Sequence, residues 1–365
     1  MSLPPLTSIP PQVAAVGDYE ALARERLSEG AWAYFAGGAG DEWTLRENVA
    51  AFDRLPLRTR VLRDLTAATT RTTLFGCDLA APILLAPVAF QRMAHPDGEL
   101  ASVIAAGALD TVMVVSTQAS LTIEAIGEQA AAPLWFQLYI QPDRDFTAEL
   151  VRRAEAASYR ALVVTVDAPV NGMRYREQRA GFALPPSIEA VNLAGMRGVE
   201  PAACDALLFG TPLLTSAPGW DAIAWLRDVT KLPILLKGIV DPDDARRAVS
   251  LGVDGIIVSN HGGRTLDGVA GAIKLLPPVV DAVADAVPVL MDGGIRRGSD
   301  VLRALALGAR ATLVGRPYIF ALAAAGVVGV AHVLRLLRAE LELAMALTGC
   351  PDIASIERSV LAPRA

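Results

Sequence analysis

The chain contains 365 residues, 53% of them hydrophobic, 5% aromatic and 20% charged, and carries a formal net charge of −6. This aliphatic balance suits a large parallel sheet buried under helices and excludes a disordered chain. With a pI near 5.3 and no run of Lys or Arg, the sequence offers no electrostatic footprint for nucleic acid or a membrane surface, so any bound anion must be held by a few local cations.

Residues 1–80 read as an extension. Their opening, Met1-Ser2-Leu3-Pro4-Pro5, has neither the basic cluster nor the apolar core of a signal peptide, and a cytoplasmic location is expected. A helix is predicted over 19–36, followed by the glycine-rich Gly37-Gly38-Ala39-Gly40, an arrangement able to carry Tyr34 to a distant site. From residue 82 onward, short aliphatic runs alternate with helical segments: 82–86, 111–115, 134–138, 161–166, 233–236, 255–258, 287–291 and 311–314. Such alternation predicts a parallel sheet with crossover helices, and eight units close into an α/β (β/α)8 TIM barrel over 81–350, within one domain spanning 1–365. Helices are predicted at 148–157 and 241–250, the latter with Asp241 as its cap and Pro242 at its first position. The stretch 173–220, after the fourth strand, is rich in Pro, Gly and small residues and is expected to be an active-site loop covering the barrel mouth. The longest apolar run, 317–331, is shorter than the roughly 20 residues a membrane span needs. It is interrupted by Gly326 and Gly329 and is expected to form a barrel-end turn leading into a packed helix. Cys77, Cys204 and Cys350 lie far apart without a CxxC pair, which predicts reduced thiols and no metal site.

The C-terminal ends of barrel strands are where this architecture builds its active sites. Here they read Pro87-Val88-Ala89, Ser116-Thr117-Gln118, Gln137 and Tyr139, Thr165 and Asp167, Lys237-Gly238, Ser259-Asn260-His261, Asp292-Gly293-Gly294 and Gly315-Arg316. His261 can accept a proton near neutrality, and Arg264, three residues on, can grip a carboxylate through paired hydrogen bonds. The plain alternative for His261 is a turn cap. Asp167 can orient His261 and stabilise its imidazolium, or merely form the turn before Ala168-Pro169. Lys237, a lone cation on an aliphatic strand, is either a Schiff-base nucleophile or a fixed charge beside an anionic group. The glycines and arginines of 292–298 and 314–317 occupy the usual phosphate position of the fold, which calls for a phosphorylated cofactor or substrate. His95 is expected at a turn and His332 inside a packed helix, neither in the chemistry.

Taken in order, Ala86-Pro87-Val88-Ala89, Phe136-Gln137-Leu138-Tyr139, Thr165-Val166-Asp167, Leu236-Lys237-Gly238, Ser259-Asn260-His261-Gly262-Gly263-Arg264, Asp292-Gly293-Gly294-Ile295-Arg296 and Gly315-Arg316-Pro317 resemble the FMN-dependent 2-hydroxy-acid oxidases and dehydrogenases. The resemblance runs from about Tyr19 to Pro351. It implies FMN as cofactor, with Lys237 as a fixed charge beside the flavin ring, which removes the Schiff-base reading. It places Gln137, Thr165, Ser116, Ser259 and the backbone at Val88 and Ala89 around the ring, and Asp292, Gly294, Arg296, Gly315 and Arg316 at the ribityl phosphate. On the substrate side it implies Arg264, Tyr34 and Arg174 at the carboxylate, Tyr139 at the hydroxyl, and His261 as the base supported by Asp167. The base takes either the Cα proton or the hydroxyl proton, and the residues do not choose between the two routes.

Several differences shape the expectation. Val88 stands where threonine is frequent, which a backbone contact tolerates, and Gln118 stands where some members carry a bulky apolar side chain. With Phe35, Met173 and the loop through Phe209, this points to a roomy pocket for an aromatic acid such as mandelate or 4-hydroxymandelate. Ala89 resembles the oxidase members, so O2 is the expected electron acceptor with H2O2 as product. A quinone- or protein-linked dehydrogenase and a decarboxylating monooxygenase are the near alternatives. An FMN-dependent isomerase and a non-catalytic flavin-binding scaffold are remote ones. The family pattern further implies a homotetramer.

Overall fold

The computed structural model describes residues 3–196 and 208–363. Cys204 and the middle of the 173–220 loop lie outside the described residues. Eight parallel strands, β3 (Ile83–Leu85), β4 (Met113–Ser116), β5 (Leu134–Leu138), β6 (Leu162–Thr165), β7 (Ile234–Ile239), β8 (Gly255–Val258), β9 (Val289–Asp292) and β10 (Thr312–Val314), form a closed barrel in which β10 pairs with both β9 and β3. The expected strands are therefore present, β5 and β8 at the expected bounds and the others with ends shifted by up to three residues. The largest shift is in β7, which continues through Lys237 and Gly238 to Ile239.

Period-two alternation divides the strand residues between two cores. Leu84, Val114, Trp135, Val163, Leu235, Ile257, Leu290 and Leu313 fill the barrel, while Leu85, Val115, Phe136, Val164, Leu236, Val258, Met291 and Val314 pack under the helices. The floor is closed by an antiparallel hairpin, β1 (Thr72–Leu74) and β2 (Cys77–Leu79), whose Leu74, Cys77 and Leu79 join the interior cluster. At its turn, Phe75 meets Trp135 edge-on at 5.6 Å.

The helix expected over 19–36 is instead two, α1 (Tyr19–Arg24) and α2 (Glu29–Ala36). The break falls where the Ser28 hydroxyl accepts from the Ala31 N–H and starts α2 as its cap. Next comes α3 (Trp43–Asp53), whose first turn is capped from far along the chain: Asp267 accepts from the N–H groups of Asp41 and Thr44 at 3.0 and 2.8 Å. The outer layer consists of α4 (Glu99–Ala108), α5 (Ile123–Glu128), α6 (Arg144–Ala156), α9 (Trp220–Val229), α10 (Pro242–Ser250), α11 (Ala272–Val283), α12 (Gly298–Ala306) and α13 (Arg316–Thr348), and the loop after β6 carries α7 (Tyr175–Arg179) and α8 (Pro212–Thr215). The helix expected at 148–157 begins four residues earlier, at Arg144, because Asp143 caps it by accepting from Phe146. Asp241 caps α10 as its sequence predicts.

No turn follows β10 beyond Gly315. The apolar run enters α13 directly, and the helix changes course at the non-helical Ala325 and Gly326, against which His95 packs. By length and composition alone this helix could cross a membrane, but 67% of its most apolar window is buried in the fold. His332, also on α13, shares a 2.8 Å hydrogen bond with the buried Tyr19 hydroxyl and ties α1 to the barrel.

Candidate active site

The alternation that fills the barrel also builds its mouth. One step of two beyond each interior apolar residue lies Ala86, Ser116, Gln137, Thr165, Lys237, Ser259, Asp292 or Gly315, so a polar ring rests directly on the apolar plug. Ser116, Gln137, Thr165, Lys237, Ser259 and Asp292 are all buried. The Lys237 ammonium donates to the Ser259 hydroxyl at 2.9 Å and pairs with Asp292 at 3.1 Å. Burial opposes its charge, but the carboxylates of Asp292 and Asp167 outweigh that penalty and hold its pKa above the ordinary lysine value. Lys237 is thus a fixed cation, not a neutral amine nucleophile.

After β8 the chain turns sharply, with His261 at φ 56° and its N–H on the Ser259 hydroxyl at 3.0 Å. This turn aims the imidazole across the mouth, where Nδ1 meets Asp167 Oδ1 at 2.8 Å. The approach depends on Gly238. The β7–β8 register shifts there, its φ is 112°, and an added Cβ would lie 2.4 Å from the Asp167 Cβ. Burial lowers the His261 pKa, and Lys237 and Arg264 add to that against the opposing pull of Asp167, so the ring is neutral at neutral pH. Burial pushes Asp167 up, yet Lys237 and His261 outweigh it and keep the carboxyl ionised. Burial raises the Tyr139 pKa to about 12, leaving its phenol protonated as a donor.

Arg264 stands over the Tyr34 ring at 4.9 Å and donates to the Tyr34 and Gly37 carbonyls at 2.5 and 3.0 Å. Arg316 donates to the carbonyls of Phe35, Gly37 and Gly262 at 3.2, 2.7 and 2.9 Å. Two guanidiniums therefore satisfy the carbonyls that the C-terminal end of α2 leaves without helical partners. Arg174 approaches from the loop after β6. Between it and Arg264 lies Glu177, whose Oε1 is 3.3 Å from Arg174 and 3.4 Å from Arg264. Sequence reasoning passed over Glu177, although an acid three residues after a candidate arginine, at the spacing of one helical turn, was the available signal. Phe182, also not singled out, stacks on Tyr34 at 5.1 Å.

Apart from Asp167, which stands behind His261, these side chains line one cavity of about 360 Å3, together with Val88, Ala89, Gly294, Arg296 and Gly315. Ser259 lies beneath it. Five buried side-chain polar atoms lack a hydrogen-bond partner among the described residues, and three belong to this site: Gln137 Nε2, Asp167 Oδ2 and Asp292 Oδ1. An unmet amide donor and an unmet carboxylate oxygen in a buried ring require a polar ligand. At the rim, burial and repulsion from Arg264 and Arg296 drive the Arg316 pKa well down, because several cations are gathered at one point. The N-terminus of α13 opens into the same space, and Gly294, at φ 86° and with its Cβ position 2.0 Å from the Asn48 carbonyl, keeps the backbone close. A flat polar ring system with a phosphate tail matches this donor set. All the expected site residues are thus brought to one barrel mouth. Met173 and Phe209 are exceptions to the expected pocket wall: both are exposed, at 62% and 87%, and line neither this cavity nor a second one of about 690 Å3 beside it, whereas Phe35 lines the first.

A family model described as FMN-dependent dehydrogenase matches residues 23–363. The chain belongs to this family. Its cofactor is FMN, which the orphaned polar atoms and the cation cluster fit. Among curated relatives, an L-lactate oxidase of Nostoc sp. is 46% identical over 352 residues, covering 94% of this chain and 96% of the relative. A glycolate oxidase of Spinacia oleracea is 43% identical, with 96% of each chain covered. A crystal structure of mandelate oxidase with benzoyl-formic acid superposes with a TM-score of 0.87 at 42% identity, covering 96% of this chain and 98% of that one.

Proposed function

We propose that this family member oxidises a 2-hydroxy acid, preferably an aromatic one of the (S)-mandelate or 4-hydroxymandelate type, to the 2-oxo acid while O2 becomes H2O2. The observation that carries the chemistry is His261, which lines the same cavity as Arg264, Arg174 and Tyr139 and is held from behind by Asp167 at 2.8 Å. Arg264 and Arg174 hold the substrate carboxylate, with Tyr34 against the Arg264 face. The Tyr139 phenol donates to the substrate's oxygen. Neutral His261 takes a proton at the reacting centre, and ionised Asp167 stabilises the imidazolium that results. FMN supplies the two-electron acceptor that no side chain provides. Gln137, Ser116, Thr165, Ser259 and the backbone at Val88 and Ala89 would hold its ring, Lys237 would place a positive charge beside it, and Asp292, Gly294, Arg296, Gly315 and Arg316 would hold its ribityl phosphate.

The aromatic preference is supported by a second cavity of about 690 Å3 that shares Gln118, Tyr139, Arg174 and His261 with the first. Ile140, Val166, Leu193, Met196, Trp220 and Ile223 give it an apolar wall, more than a methyl or hydrogen substituent would fill. An anaerobic absorbance titration of the holoenzyme with glycolate, L-lactate and both mandelate enantiomers, followed by air, tests the reading. Bleaching by (S)-mandelate at lower concentration than by lactate, with peroxide formed on reoxidation, is expected. Bleaching by glycolate or lactate in preference to mandelate would overturn the aromatic assignment, and no bleaching by any of them would overturn the reaction.

A further inference from the structure

Two guanidiniums at one carboxylate site need a counter-charge between them. Burial lowers the Arg264 pKa, and repulsion from Arg174 lowers it further. Tyr34 and Gly37 offer Arg264 their carbonyl dipoles and the Tyr34 ring face, but no full negative charge. The full counter-charge comes from Glu177, whose single oxygen bridges both arginines at 3.3 and 3.4 Å. Its side chain is 14% exposed and lines the cavity beside them.

The backbone holds Glu177 in that position. It lies in α7, where the neighbouring Arg176 pairs with Glu42 of the extension at 2.5 Å and the Glu177 carbonyl accepts from Phe182 at 2.9 Å. The contacts of Arg174 with Glu177, Asn171 and the Arg264 carbonyl are 3.3, 3.5 and 3.4 Å, long for charged donors. Arg174, and the Nη2 of Arg264 with its 3.4 Å contact, therefore stay available to a ligand carboxylate while sharing one internal acid.

We propose that Glu177 is a specificity-determining residue that sets the clamp's net charge to a single positive unit, so that the site accepts monocarboxylates and disfavours dianions. Two arginines and Glu177 sum to +1, which one carboxylate neutralises. A ligand with a second carboxylate brings an uncompensated negative charge beside Glu177, which lines the same cavity. This inference rests on the reading of Arg174 and Arg264 as the substrate clamp.

Pyruvate and oxalate make the test, because they have nearly the same shape and differ by one charge. Their dissociation constants are read from the flavin absorbance change of the holoenzyme at fixed ionic strength. In Glu177→Gln the preference for oxalate relative to pyruvate should rise at least about tenfold, as expected for removing one charge from a partly buried site. Glu177→Asp, which keeps the charge, should stay near the parent ratio. If Glu177→Gln weakens both ligands equally, or if Glu177→Asp shifts the ratio as far as Glu177→Gln does, the residue only props the arginines and the proposal fails. If pyruvate does not perturb the parent flavin at all, the clamp reading falls and takes this inference with it.

Discussion

Asp167→Asn separates the charge of the His261 partner from its shape. The substitution keeps an oxygen and similar volume 2.8 Å from His261 Nδ1 but removes the negative charge that would face the imidazolium. A hydrogen bond to a charged group contributes about 1.5–3 kcal/mol, and at 1.36 kcal/mol per decade this predicts a rate of substrate-dependent flavin bleaching about 10- to 150-fold slower. The pH profile moves in the less obvious direction. In the parent, burial holds His261 below its ordinary value of 6.5 while Asp167 pulls it upward. Because the base must be neutral, kcat/KM falls as pH drops through that pKa. Without the Asp167 charge the pKa drops further, so the acid limb shifts to lower pH even as the plateau declines. Stopped-flow bleaching under anaerobic conditions from pH 4.5 to 8 measures both. A plateau within twofold of the parent, or an acid limb shifted upward, would refute the proposed role of Asp167.

Arg316→Ala removes one of the gathered cations and should weaken FMN binding at least about tenfold, as expected for a lost charge-assisted contact, measured as FMN fluorescence in ultrafiltrate; unchanged retention would remove Arg316 from the phosphate site. Gly294→Ala places a methyl 2.0 Å from the Asn48 carbonyl at φ 86°, with a backbone cost of at least about 1–3 kcal/mol. It should purify colourless or fail to fold, and a yellow variant with the parent melting temperature would contradict the packing argument.

The barrel and its polar ring were legible because both follow from a period of two. An aliphatic strand that ends in Gln137, Lys237 or Asp292 declares which residue is next on the inner face, and closure brings all such ends together. Contacts between remote backbone segments were not legible. Nothing in the residue types shows that Arg264 and Arg316 meet the carbonyls of α2, more than 220 positions away, or that Asp267 caps α3. The break between α1 and α2 was written locally in Ser28, but apolar residues on both sides masked it. Met173 and Phe209 show the opposite error: apolar side chains in a covering loop suggested a pocket wall, yet both face outward.

The arginine caps on α2 give the extension a second meaning. Arg264 and Arg316 spend donors on the carbonyls of Tyr34, Phe35 and Gly37 while lining the cavity where anions are held. Loss of residues 29–40 would therefore do more than uncover the mouth, because it would release two guanidiniums from their fixed orientation. By reciprocity, a ligand that favours that orientation must also strengthen the docking of the extension. The first helices thus belong to the binding equilibrium itself, and their resistance to proteolysis becomes a gauge of site occupancy.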